Sequence, residues 1–440
     1  MKKNKNAFTL IELLAVIVIL ALILLISIPR ILNVIETSKK DSLKNAAQLI
    51  ADSAEKKKVS DKLLGKDEEI TCKDVAKIND EDYASCKITF DSEGNAKVSI
   101  TGNGKFKGLK ITNGTKENAE VKEITKPTYG MKATEYITNL LEYDGEGLKK
   151  DNTPDQNIRY YGSDPNNYVR FNDELWRIIG VFGNNVKLIR SEKLGDLSWD
   201  SSYPSVNSGF GINQWGESTD ADGNEYAGAD LQVYLNKMYY GGTSVTCYWN
   251  PNNSTTTCPT NTLDNNAKTL IDNHTWNTGA INWDDVYDST TKTLDTVEFY
   301  KAERGTTNGK ICTSGDWCND TVTRKTEWTG YVALPYVTDW AYASSESVCE
   351  TNMRKQDSSN AYICKNNNWM QRSSTAWYLS PLAIGSYAYY AWFVSDDGGA
   401  YYFNAARSYA VAPSIYLKSN ILIESGTGTS SDPYILKAGA

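Results

Sequence analysis

The sequence predicts an α+β protein, with one long N-terminal helix carrying a small antiparallel sheet and then a large β-rich, loop-heavy domain. Three features predict it. Residues 8–28 are almost wholly apolar and run on into a helical stripe. In KITFDSEGNAKVSI, apolar and polar residues alternate on both sides of Ser92-Glu93-Gly94-Asn95, as in a hairpin. All twelve tryptophans lie at or after Trp176, where short strand-like runs are separated by loops of Asn, Thr, Ser, Asp and Gly.

The helix comes first. Twenty-one largely apolar residues from Phe8 to Ile28, at about 1.5 Å rise each, span a bilayer core of about 30 Å. The run is longer than a secretory signal core, and no A-x-A cleavage site follows it. Beyond Pro29, apolar residues recur at Ile31, Leu32, Ile35, Leu43, Ala46, Ala47, Ile50 and Ala54. One helix is therefore expected over 8–65, membrane-spanning over 8–28, with a kink or break at Pro29. Lys2, Lys3 and Lys5 hold the leading end in the cytoplasm and place everything after Arg30 outside. Glu12 is the anomaly, because a carboxylate at membrane depth is costly. Two readings fit it. Either it pairs with an amine supplied by a neighbouring chain, or it snorkels or sits protonated.

The small sheet follows. The hairpin at 87–100, a turn at Gly102-Asn103-Gly104 and another near Asn113-Gly114 give a meander over 66–122, packed on the outer half of the helix. Residues 123–158 mix a short helical stretch, Ala133 to Leu141, with Gly, Asp and Pro turns and read as a linker. From 159 to 440 the strands are YVRF, ELWRIIGVF, NVKLIRSE, WTGYVALP, AYYAWFVS, AYYF, SIYLKSNILIE and DPYILK. One helix is expected at ADLQVYLNKMYY.

Composition limits the chemistry. A net charge of −8 disfavours a nucleic-acid binder. The eight cysteines fall into four local pairs, Cys72-Cys86, Cys247-Cys258, Cys312-Cys318 and Cys349-Cys364, with no CxxC and a single histidine, His274. On an exported chain this spacing reads as disulfides rather than zinc, with free buried thiols as the alternative. DADGNEYAGAD sets Asp220, Asp222 and Asn224 at alternating positions, as in a calcium loop, but lacks the loop glycine after Asn224 and the distal Glu. A solvated turn fits it as well, so no metal and no cofactor is assigned. G-x-S-x-G, HExxH and P-loop motifs are absent and His274 has no nucleophile motif beside it, so no enzyme is expected and no catalytic residue is named. The aromatic density has two readings, core packing or a carbohydrate-stacking surface.

The run KKNKNA followed by FTLIE, a long apolar helix and Pro29 resembles the leader of type IV prepilins and pseudopilins. The resemblance implies cleavage between Ala7 and Phe8 by a prepilin peptidase, N-methylation of Phe8, and assembly with other pilin subunits. In that assembly Glu12 neutralises the Phe8 amine of a neighbour. Ala7 stands where the family usually has Gly, which puts efficient cleavage in question. The resemblance makes residues 1–7 the leader peptide, 8–65 the pilin helix and 66–122 the pilin head. The features Trp176, WYLSP, AAR followed by VAPSIYLKS, and GTGTSSDPYIL resemble extracellular domains of Gram-positive gut bacteria, and more distantly C-type-lectin-like folds. Together they imply a membrane-anchored, extracellular surface protein, in a pilus or beside it, whose C-terminal part meets a glycan or host surface. The alternative is a pseudopilin of a competence or type II-like secretion apparatus.

Overall fold

The computed structural model describes residues 10–66, 68–79, 81–143, 145, 147–201, 214–219, 225–249, 254–281, 286–288, 293–304, 311–312, 326–353, 363–382 and 390–439. Between 10 and 29, side chains are described only at Leu14, Ile17, Val18, Ile19, Leu25 and Ile28. The chain divides into two compact units: Met1–Lys126 with Glu142–Asp144, and Pro127–Leu141 with Gly145–Ala440.

The first unit is built on α1, Leu10–Leu63. A kink or break is expected at Pro29; the helical backbone continues through it without a break. The second half of α1 buries a narrow stripe, Leu43, Ala47, Ile50, Ala51 and Ala54. These positions recur at helical spacing, and three of the five are alanine, which lets a sheet approach the helix closely. The sheet is the expected meander, β1 (Tyr83–Phe90), β2 (Ala96–Gly102), β3 (Leu109–Gly114) and β4 (Val121–Glu123), paired in sequence order. Along β2, Ala96, Val98 and Ile100 face the helix and alternate with half-exposed residues. The β1–β2 turn is fastened by Asp91, whose carboxylate accepts from the amides of Glu93 and Asn95. A disulfide joins Cys72, at the start of α2 (Cys72–Val75), to Cys86 on β1.

The second unit begins earlier than its sequence suggests. The stretch 123–158, expected as a linker, is largely built into it. In α3 (Ala133–Tyr143), Ala133, Tyr136 and Ile137 enter the core, and Leu148 of β5 (Leu148–Lys150) and Ile158 of β6 (Ile158–Tyr160) join them. The helical stretch expected from Ala133 is present; the surrounding Gly, Asp and Pro turn signals hid that its apolar side is packed into a core.

The main sheet orders its strands as Val332–Ala333, Ser414–Tyr416, β9 (Asn185–Arg190), β8 (Glu174–Phe182), β7 (Tyr168–Phe171), Tyr434–Ala438 and Ile421–Ser425, with β6 also on β8. The β7–β8 hairpin turns through Asn172 and Asp173, both with left-handed φ, as a two-residue turn between twisted strands requires. Gly180 lies where β6 pairs with β8: a Cβ there would come 2.0 Å from the Ile158 carbonyl oxygen, so only glycine fits. A second sheet pairs β10 (Asp196–Ser198) with Ser408–Ala410, then Ala376–Pro381, Tyr390–Val394 and Ala400–Asn404. WTGYVALP, expected as one strand, is divided between two sheets, and SIYLKSNILIE is also two strands.

The expected helix at 229–240 is α-helical only over Asp230–Val233 and widens to a π-helix over Tyr234–Tyr240. Asn236 supplies a cause. Its side-chain amide donates to the Gln232 carbonyl at 3.0 Å, competing with the helix ladder, and also to the Val332 carbonyl at 2.8 Å.

Candidate functional site

The first site is the N-terminal part of α1. Leu14, Ile17, Val18, Ile19, Leu25, Ile28, Ile31, Leu32, Val34 and Ile35 are each between 46 and 75 % exposed. Ile17, Val18 and Ile19 are consecutive, so they cover more than half of the helix circumference. Apolar surface of this extent is stable only against lipid or neighbouring protein. Among the described residues no helix is long and apolar enough to cross a membrane; most side chains of the expected span 8–28 are not among them. The backbone of Glu12 and Pro29 lies in α1 while their side chains fall outside the described residues, as do Ala7 and Phe8 altogether.

The second unit holds three features that bear on function. Most of its aromatic residues are core: Trp176, Trp199, Trp215, Trp276, Trp340, Trp377 and Trp392 are fully buried. An outer strip remains on the second sheet. Phe393 faces Tyr401 across the strand pair and lies 5.0 Å from the Tyr409 ring. Phe403 continues the same face at the sheet edge and is exposed, with Arg407 above its ring. Half-exposed aromatic rings in a row offer stacking faces for sugar rings or other flat apolar groups.

The second feature is a cleft of about 460 Å³ at the meeting of β7, β8, the end of β9 and the turn 369–372. Arg177 and Arg190 form part of its wall. The Arg177 guanidinium lies over the rings of Tyr168 and Trp369, at 4.0 and 4.6 Å. Arg190 makes a two-pronged pair with Glu174 at 2.6 and 2.9 Å. Neither the cleft nor the charge network below was anticipated from the sequence, because their members come from distant segments.

The third feature is a buried charge network, with the Arg304 side chain 14 % exposed. Asp339 takes Arg159 on one carboxylate oxygen at 2.5 Å and Lys187 on the other at 2.6 Å. Arg159 also pairs with Asp151 at 2.8 Å. Glu303 accepts from Thr338 at 2.7 Å and pairs with Arg304 at 3.0 Å. Lys187 is ringed by Tyr336, Trp276, Tyr416 and Phe182, at 4.2 to 5.5 Å. Burial drives the Lys187 amine down to about 8 and the Glu303 carboxyl up to about 7. Burial also opposes ionisation of Asp339, but Lys187 and Arg159 outweigh it and hold that carboxyl below its usual range. The network ties β6, β9 and the helices Thr296–Glu303 and Val337–Tyr342 together, and its cations are matched by carboxylates.

Of the remaining sequence candidates, Cys247-Cys258 and Cys349-Cys364 are disulfides. Cys318, and with it the Cys312-Cys318 pair, lies outside the described residues, as do Asp220, Asp222 and Asn224. Among the described residues no cluster of His, Cys, Asp and Glu could hold a metal. His274 bonds through Nδ1 to Asp272 at 3.1 Å and stacks on Tyr416 at 3.7 Å; burial lowers its pKa.

Residues 2–28 match the family described as the prokaryotic N-terminal methylation motif, and the N-terminus is thus type IV prepilin-like. No curated protein and no solved structure matches the chain.

Proposed function

We propose that the chain is a type IV pilin-like surface subunit that displays a large extracellular domain for adhesion or recognition. A prepilin peptidase cuts between Ala7 and Phe8, Phe8 is N-methylated, and residues 8–28 hold the subunit in the membrane. Glu12 then accepts the Phe8 amine of an adjacent subunit, which answers the cost of a carboxylate at that depth. The observation that carries this reading is the N-terminal match over residues 2–28, joined to an α1 whose first half exposes apolar side chains on every described side.

The second unit supports a display role. It is more than twice the size of the first, which suits a minor or tip subunit better than the repeating shaft of a filament. The aromatic strip at Phe393, Tyr401, Phe403 and Tyr409 supplies a surface for a glycan or host ligand. A pseudopilin of a secretion or competence apparatus would carry the same leader, and the net charge of −8 speaks against DNA as its cargo.

Protease treatment of intact cells tests the display. Fragments from the second unit should be released while the N-terminal helix stays with the membrane. Protection of the whole chain until the cells are lysed would overturn the reading.

A further inference from the structure

We propose that the cleft bounded by β7, β8, the end of β9 and the turn 369–372 binds the carboxylate of an acidic saccharide. This names a ligand class for the second unit and rests on reading that unit as a recognition domain.

Three guanidinium groups line the cleft, those of Arg177, Arg190 and Arg372, against two acids, Glu174 and Glu192. Glu174 is committed to Arg190 through both oxygens. Arg177 is held by the Asn167 side chain at 2.7 Å and by Asp164 at 2.9 Å, and Asp164 is 65 % exposed and outside the lining. Arg372 differs. Its bonds are to the main-chain carbonyls of Ser191 and Arg190, at 2.8 and 2.7 Å, and among the described residues it has no carboxylate partner. Ser191, also in the lining, has a buried hydroxyl oxygen without a hydrogen-bond partner. Glu192, in the same wall, favours the Arg372 charge without bonding to it; a cation whose acid does not reach it and an unanswered hydroxyl in the wall of one cavity point to an oxyanion from outside.

The shape fits a small ligand. About 460 Å³ is within the range of small-molecule sites. The planar guanidinium fork matches a carboxylate, and Arg177, clamped between two rings, loses little freedom on binding. Glu192 and Ser430 add polar groups at the wall for sugar hydroxyls.

The test uses the purified full chain in detergent and ligand-observed NMR with three probes: glucuronate, glucose and N-acetylaspartate. Saturable transfer to glucuronate is expected, with little to the other two. Arg372→Met should weaken glucuronate binding by about fivefold, and Glu174→Gln, which removes a competing negative charge, should tighten it by about threefold. If Arg372→Met does not fold, Ser191→Ala and Glu174→Gln carry the test, with opposite expected signs. No glucuronate binding at ~50 mM, a concentration far above a weak carbohydrate Kd, would overturn the proposal. So would equal binding of glucose or of N-acetylaspartate, or variants that fail to move affinity in opposite directions. Binding is read on the whole chain whatever its N-terminus, so a failed cleft leaves the pilin reading standing, and an unprocessed N-terminus leaves the cleft standing.

Discussion

Asp339 joins two buried cations of the second unit, Arg159 and Lys187. Replacing it with Asn keeps the volume but leaves Lys187 without its carboxylate and Arg159 with Asp151 alone. Both cations are at most 1 % exposed, so water cannot take over. Stripping one partner from such a site costs about 3–5 kcal/mol, mostly from the charge left behind. The second unit has roughly 310 residues, and at about 2.1 cal/mol/K per residue its unfolding entropy near the midpoint is about 0.65 kcal/mol/K. The cost therefore corresponds to a Tm drop of about 5–8 °C. Lys187→Met should behave differently. Asp339 keeps Arg159 and the Tyr336 amide, and the thioether enters a ring of aromatic side chains that accepts it, so the loss should stay within about 2 kcal/mol, or about 3 °C. Differential scanning calorimetry of both variants at pH 7 decides the matter. A drop below about 2 °C for Asp339→Asn, or a Lys187→Met loss equal to it, would refute the account of the network.

Three further outcomes are expected. Glu303, with its carboxyl raised by burial from 4.5 to about 7, binds a proton in the folded state that the unfolded chain has released; stability should fall by about 3 kcal/mol as pH rises from about 4.5 to 7 and then level off. Glu303→Gln should remove that slope, which calorimetry at pH 5, 6, 7 and 8 would show; Lys187, at about 8, acts only above this window. Replacing Cys72 and Cys86 together with Ser opens a 14-residue separation and should cost the first unit about 3 kcal/mol, read as faster amide exchange in β1 and β2 with the second unit unchanged. Glu12→Ala should be cut and methylated normally yet fail to appear in sheared surface fibres, which immunoblots of the membrane and sheared fractions would separate.

The parts legible in the sequence were those set by local periodicity. The α1 stripe at Leu43, Ala47, Ile50 and Ala54 and the alternation around Ser92–Asn95 each report their own neighbours, so helix and meander were readable. Strands such as β7, β8 and β9 were readable for the same reason. What escaped was contact between distant segments. Lys187 reads as one polar residue in an apolar strand until Asp339, far along the chain, is brought 2.6 Å away. The cleft joins residues near 170–192 to others near 370, and no local signal announces either half. Residues 123–158 read as a linker because their turn residues are explicit, while no local signal told that the helix from Ala133 has a partner for its apolar side. The π-helical stretch depended on Asn236 finding the Val332 main chain.

The most direct test of the central claim is the mature N-terminus, measured by mass spectrometry on protein purified from its native membrane. A chain beginning at Phe8 and carrying one N-methyl group is the predicted result, and it would show that Ala7 permits cleavage. A chain that still begins at Met1, or one cut well beyond Ile28, would contradict the pilin reading and leave a plain anchor or a secretory signal in its place.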